Sequence, residues 1–148
     1  MFQNLINKIK SDSSEDASNA SNLPVNYYDE YEYIKIFRQQ SFDKRLEISN
    51  KIINKHDNRI PIIVGCKSNI KIDKNKYIVP KDLTISQFLC VIKKRIDVLP
   101  TESIFLICNN KLMLHSDTLD VVYYKEKDSD KFLYICISLE NTFGNHLK

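Results

Sequence analysis

Asn75-Lys76-Tyr77-Ile78-Val79-Pro80-Lys81-Asp82-Leu83-Thr84-Ile85-Ser86-Gln87-Phe88 is the stretch on which the fold turns. Lys76 to Val79 alternates as a short strand, and Pro80, with no backbone N–H to donate to a ladder, stops it. Thr84 and Gln87 then form a capping box, with Thr at N-cap and Gln at N3. Leu83 before the cap and Phe88 after the first turn complete a hydrophobic staple. The helix so opened is predicted to run to about Ile96, with Lys93, Lys94 and Arg95 in its last turn, where positive charge suits the helix dipole.

Elements follow on both sides. Upstream, residues 27–38 read as a short helix, and Ser41 caps a second with Phe42, Leu46, Ser49, Ile52 and Ile53 on its buried stripe. Ile60 to Cys66 is a continuous apolar run, a buried strand, followed by a lysine-rich loop over 67–75. Downstream, Ile104 to Cys108 is a second buried strand. Asn109-Asn110 is a turn tolerant of positive φ, and Lys111 to Leu114 returns as a short strand. Thr118 to about Lys125 is a short helix, Asp128-Ser129-Asp130 a turn, and Phe132 to Ser138 the last strand. Residues 60–138 thus form a ββαββ-like unit with one extra short helix. That is the element order of the ubiquitin-like β-grasp, an α+β fold, here with two additional N-terminal helices.

Composition narrows the chemistry. The 148 residues are 43% hydrophobic and 28% charged, which suits one globular domain with a core. Only two glycines occur, Gly65 and Gly144, too few and too far apart for a phosphate-cradling loop or a dinucleotide fingerprint. Cys66, Cys90, Cys108 and Cys136 have no CxxC spacing and each sits in an apolar run; they read as reduced core residues, and no metal site is expected. Free thiols of that kind point to a reducing, cytoplasmic compartment. No Ser/His/Asp or Cys/His grouping assembles without arbitrary choices, so an enzyme is not expected, nor a cofactor. Residues 1–30 carry two lysines against five acids, a charge of −3, so with a net +3 overall the rest of the chain carries +6. A basic body favours acidic partners without choosing among peptide, lipid and nucleic acid. Residues 1–26 read as a flexible extension. Phe2, Leu5, Ile6 and Ile9 fall on one face of a possible short helix, ahead of a Ser/Asn/Asp-rich linker over 11–26. Residues 27–139 are the expected domain and 140–148 a flexible tail.

The residues themselves resemble the ubiquitin-like autophagy modifiers, the family of GABARAP and microtubule-associated light chain three. The resemblance is carried by Ser41-Phe42-Asp43-Lys44-Arg45, Asn58-Arg59-Ile60-Pro61-Ile62-Ile63-Val64, the stretches 73–80 and 82–88, Ile92-Lys93-Lys94-Arg95-Ile96, Ile104-Phe105-Leu106, Phe132-Leu133-Tyr134 and Glu140-Asn141-Thr142-Phe143-Gly144. It implies a modifier made as a precursor. A processing cysteine protease would cut after Gly144, next to Phe143, removing Asn145 to Lys148. Activating and conjugating enzymes would then carry the glycine as a thioester and join it to phosphatidylethanolamine. The product would be anchored on autophagosomal, vacuolar or other organelle membranes and would act in autophagosome formation or membrane maintenance. A glycine suits a narrow protease channel and repeated acyl transfer at one carbonyl, because it has no Cβ.

The resemblance also implies a recognition face. If Tyr77-Ile78-Val79 is a sheet edge, it accepts an added peptide strand, with alternate side chains entering pockets. One pocket, formed by Ile52, Pro61, Ile63, Ile78 and Phe132, would take an aromatic side chain. The other, formed by Tyr77, Val79, Pro80, Leu83, Phe88 and Val91, would take Leu, Ile or Val three residues later. Arg59, Lys74, Lys76 and Arg95 would attract acidic residues flanking such an aromatic-x-x-aliphatic motif in cargo receptors. Ile48 stands where many members carry Glu, which predicts a weaker preference for Trp, and Gly65 replaces a frequent Glu, which predicts a loosened strand end. The alternative reading is an unconjugated ubiquitin-like interaction domain binding peptides or cytoskeleton. No nucleic-acid partner is expected.

Overall fold

A computed structural model describes residues 31–67, 70–99 and 101–139. The expected helix over 1–10, the linker over 11–26 and the tail over 140–148 lie outside the described residues. The elements are α1 (Glu32–Arg38), α2 (Phe42–Lys55), β1 (Arg59–Cys66), β2 (Lys76–Pro80), α3 (Ile85–Lys93), β3 (Ile104–Cys108), β4 (Lys111–Leu112), α4 (Leu119–Glu126) and β5 (Leu133–Leu139). The five strands form one sheet in the order β2-β1-β5-β3-β4. The central pair β1–β5 is parallel, and β1–β2, β5–β3 and β3–β4 are antiparallel. A mixed five-stranded sheet with α3 crossing one face is the β-grasp expected from the element order.

The local signals hold. Thr84 accepts from the Gln87 backbone N–H at 3.1 Å and the Gln87 side chain accepts from the Thr84 N–H at 3.0 Å, so both halves of the capping box are made. Ser41 and Thr118 cap α2 and α4 in the same way, each accepting from the backbone three residues on. Asn109 and Asn110 take φ of 50° and 64°, the left-handed pair that joins β3 to β4. α3 stops at Lys93, short of Ile96, because the chain beyond it pairs elsewhere: Ile96 bridges Ile72, and the Asp97 N–H donates to the Lys71 carbonyl.

Strand alternation divides the core in two. Ile60, Ile62, Val64, Tyr77, Val79, Leu133, Ile135 and Ile137 face α3, where Phe88 and Ile92 pack among them. Ile63, Tyr134 and Cys136 face the other way, toward Ile34 and Phe37 of α1 and Ile48 and Ile52 of α2. β5 is therefore buried along its whole length. Each large side chain so buried contributes about 1.5–3 kcal/mol.

Three expectations are corrected. Phe42 is 42% exposed because it is the first residue of α2 and overhangs its end, and the buried stripe is Ile48, Ser49 and Ile52. The Ser49 hydroxyl donates to the Asp130 carbonyl at 2.6 Å and pins the helix to the turn before β5. Cys90 lies on the outer face of α3 and is exposed, Cys66 is half-buried, and only Cys108 and Cys136 are core. Gly65 does not loosen β1. A Cβ there would come within 2.7 Å of the Ile34 Cδ1 atom and 3.0 Å of the Tyr31 Cβ atom, so the missing side chain is the seat on which α1 rests.

Candidate peptide-binding site

Among the described residues β2 is an edge strand, bonded to β1 alone. The Val64 N–H donates to the Asn75 carbonyl at 2.7 Å, and the Lys81 N–H donates to the Asn58 carbonyl at 2.9 Å. Between these points the register alternates, pairing Ile62 with Tyr77 and Ile60 with Val79. The backbones of Tyr77 and Val79 thus face β1, and that of Ile78 faces outward. Pro61 is the residue opposite Ile78, a position where a missing N–H costs the ladder nothing. The Ile78 carbonyl accepts from Arg59 Nη1 at 3.0 Å, so a guanidinium already caps the open edge.

Side chains leave this edge on two sides. Ile78 joins the α1/α2 side with Ile52, Ile63 and Phe132. All four, with buried Pro61, belong to the aromatic pocket inferred from the resemblance. Tyr77 and Val79 join the α3 side, where Phe88 meets Tyr77 edge-on at 5.6 Å and Leu83 packs beside them. Val91, three residues after Phe88 on α3, is 37% exposed and is not part of this apolar cluster. Pro80 is half-buried and by alternation follows Ile78, at the point where the strand ends. Apart from Val91, the sequence-inferred pocket residues are therefore brought together in two sets flanking one open strand.

The cations differ among themselves. Arg59, Lys74 and Arg95 are exposed. Lys74 Nζ lies 5.1 Å from the Tyr77 ring centroid, and Arg95 is 3.6 Å from Asp73. Lys76 is 6% exposed, its Nζ 5.1 Å from the centroid of the Phe37 ring, and burial pushes its pKa down to about 8. It is a wall of the site rather than a surface charge. Burial likewise pushes the Tyr77 phenol up to about 12.

One contributor, Phe37, went unread in the sequence. It packs its ring against Phe132 at 5.0 Å, and Ile48 is 9% exposed in the same cluster. The spacing of Tyr31, Ile34 and Phe37, one helical face, was the available signal. Gly144 and Phe143 lie outside the described residues. Among the described residues no group of His, Cys, Asp and Glu is placed to hold a metal, and no helix is long and apolar enough to cross a membrane.

Comparison with known proteins agrees with this geometry. The family described as "Autophagy protein Atg8 ubiquitin like" matches residues 44–144. Autophagy-related protein 8h of Arabidopsis thaliana is 40% identical over 115 residues, covering 75% of this chain and 97% of that protein. Autophagy-related protein 8 of Vanderwaltozyma polyspora is 47% identical over 107 residues, covering 70% of this chain and 91% of that one. Among solved structures, the crystal structure of Trypanosoma brucei ATG8 superposes with a TM-score of 0.63 at 34% identity, covering 68% of this chain and 90% of that chain.

Proposed function

Because the chain belongs to the Atg8 family of ubiquitin-like autophagy proteins, and is thus a modifier rather than an enzyme, we propose that it is conjugated through Gly144 to phosphatidylethanolamine and recruits partners through the β2 edge. The observation that carries the recruiting half is the outward-facing backbone of Ile78, with an apolar set on either side. An extended peptide adds as a strand there, and residues of alternate facing reach the two sets. An aromatic side chain goes toward Ile52, Ile63 and Phe132, and an aliphatic one toward Tyr77, Phe88 and Val91. Cargo receptors with aromatic-x-x-aliphatic motifs are the partners of this edge.

The anchoring half rests on Gly144, one of two glycines in the chain. A processing cysteine protease hydrolyses the bond to Asn145. The activating enzyme uses a nucleoside triphosphate to convert the Gly144 carboxylate to an acyl adenylate, with release of pyrophosphate. Its thiol displaces the nucleotide to form a thioester, and the conjugating enzyme's thiol takes over the carbonyl as the first thiol leaves. The lipid amine then attacks that carbonyl, the thiol leaves, and an amide forms. The modifier is cytoplasmic before this step and lipid-anchored on an autophagosomal, vacuolar or other organelle membrane after it. Intact mass spectrometry of the cellular protein tests the proposal. The wild type is expected to lose residues 145–148 and gain a lipid, and Gly144→Ala to show neither change. A wild type that always keeps its last four residues would instead identify an unconjugated domain that uses the edge alone.

A further inference from the structure

The residues assigned to the aromatic pocket are already covered. Ile52 is 8% exposed, Ile63 and Phe132 are 0%, and Lys76 at the border is 6%. The cover belongs to the chain itself. The Phe37 ring of α1 stands edge-on to Phe132 with centroids 5.0 Å apart, in the same apolar cluster as Ile52, Ile63 and Ile78. Lys76 Nζ lies over that ring, 5.1 Å from its centroid. An aromatic ring meeting Phe132 from the β2 edge must therefore shift Phe37, Lys76 or both.

The element that carries Phe37 is short and held by few contacts beyond its own buried face. α1 has seven residues, and its N-cap, Tyr31, makes no side-chain cap. A helix that short does not persist in water by itself. Its position depends on the seat at Gly65, on the burial of Tyr31, Ile34 and Phe37, and on the Arg38–Asp128 ion pair at 2.7 Å. We propose that α1 is a latch on the peptide groove: Phe37 is the internal occupant of the aromatic pocket, Lys76 holds it there, and an extended peptide with an aromatic anchor binds by displacing it. The latch rests on reading the β2 edge as a peptide groove and adds regulation to that site. The apparent affinity is then reduced by the fraction of molecules in which the pocket is open, and loosening α1 restores it.

Two variants loosen α1 by different routes, one at the occupant itself and one outside the groove. Phe37→Leu shortens the occupant and removes its ring. Gly65→Ala places a methyl group against Ile34 and Tyr31. The full chain and both variants are titrated with a labelled acidic peptide containing a Phe-x-x-Leu core, and hydrogen exchange of the Lys35 to Arg38 amides is followed in the wild type with and without peptide. The latch requires about tenfold tighter binding by at least one folded variant and faster exchange of α1 in the bound wild type; binding that emerges only in the variants supports it equally. A wild type that binds with α1 exchange unchanged, and variants that bind no tighter, overturn the latch and leave the groove standing. Absence of binding by all three folded proteins overturns the groove reading, and the latch with it.

Discussion

At the scale of single residues, two side chains would set the character of the proposed aromatic pocket. Ile48 puts a hydrocarbon where a carboxylate would accept an indole N–H, and the neighbouring Glu47 is turned to solvent and paired with Lys51 at 2.8 Å. A hydrogen bond to a charged acceptor contributes about 1.5–3 kcal/mol, which is tenfold or more in affinity. Without it, matched Trp and Phe peptides are expected to bind within about threefold of each other by fluorescence titration; a tenfold Trp advantage sinks the assignment. Lys76 makes a second prediction. Its pKa falls to about 8 on burial, from about 10.4 in the unfolded chain. Between those values the folded state holds fewer protons at this site, so this lysine makes stability rise with pH from about 8 to about 10.5. Below that window the buried ammonium costs at most about 3 kcal/mol. Cys66 and Cys108, both pushed up to about 12 by burial, act in the opposite sense above about pH 9. The lysine is therefore isolated as a difference. Lys76→Met should exceed the wild type in urea melts at pH 7, and the gap should close by pH 10.5. A constant gap across that range counts against a titrating buried lysine.

Elements declare themselves in the sequence where their signals are local. The Thr84–Gln87 box, the Asn109-Asn110 turn and the Ser41 and Thr118 caps depend on a few neighbouring residues, and each was readable. The buried stripe of α2 was readable only in part, because Phe42 shares the face of Ser49 but opens the helix and is exposed, while Ser49 is fixed by its bond to Asp130, distant in the chain. The end of α3 was misread for a similar reason: Ile96 leaves the helix to pair with Ile72 across the molecule. The local nature of the capping box makes it testable alone. Thr84→Ala removes the acceptor for the Gln87 N–H and is expected to cost about 1 kcal/mol. For a domain of this size that lowers the melting temperature by roughly 3–6 °C, and Thr84→Ser should recover most of the loss. An unshifted melt for the alanine variant means the cap contributes nothing to the fold.

For the molecule as a whole, the apolar half of the site was readable and the charged half was not. The family resemblance named Ile63, Tyr77, Ile78, Val79 and Phe88 for the proposed groove, and strand alternation accounts for Tyr77 and Val79 turning toward α3 while Ile63 and Ile78 turn the other way. The fate of Lys76 depends on where α1 docks, which depends on a side chain that Gly65 lacks, and no local pattern reports that. The consequence is a changed electrostatic field at the groove. The chain beyond residue 30 carries +6, yet at this edge Lys76 is buried beside Phe37 and Arg95 faces Asp73. Arg59 and Lys74 are left as the main exposed cations beside the strand, and Arg59 also holds the Ile78 carbonyl. Exposed pairs of this kind contribute about 0–1 kcal/mol each and are screened by salt. A peptide with acidic flanks should therefore lose about three- to tenfold in affinity between 0.05 and 0.5 M salt. The same core with neutral flanks should change by less than about twofold. Arg59→Ala and Lys74→Ala together should make the two peptides equally insensitive to salt. If the acidic peptide keeps its full salt dependence in that double variant, the flanks are read by cations elsewhere on the basic body, and this edge recognises its ligands by shape and backbone alone.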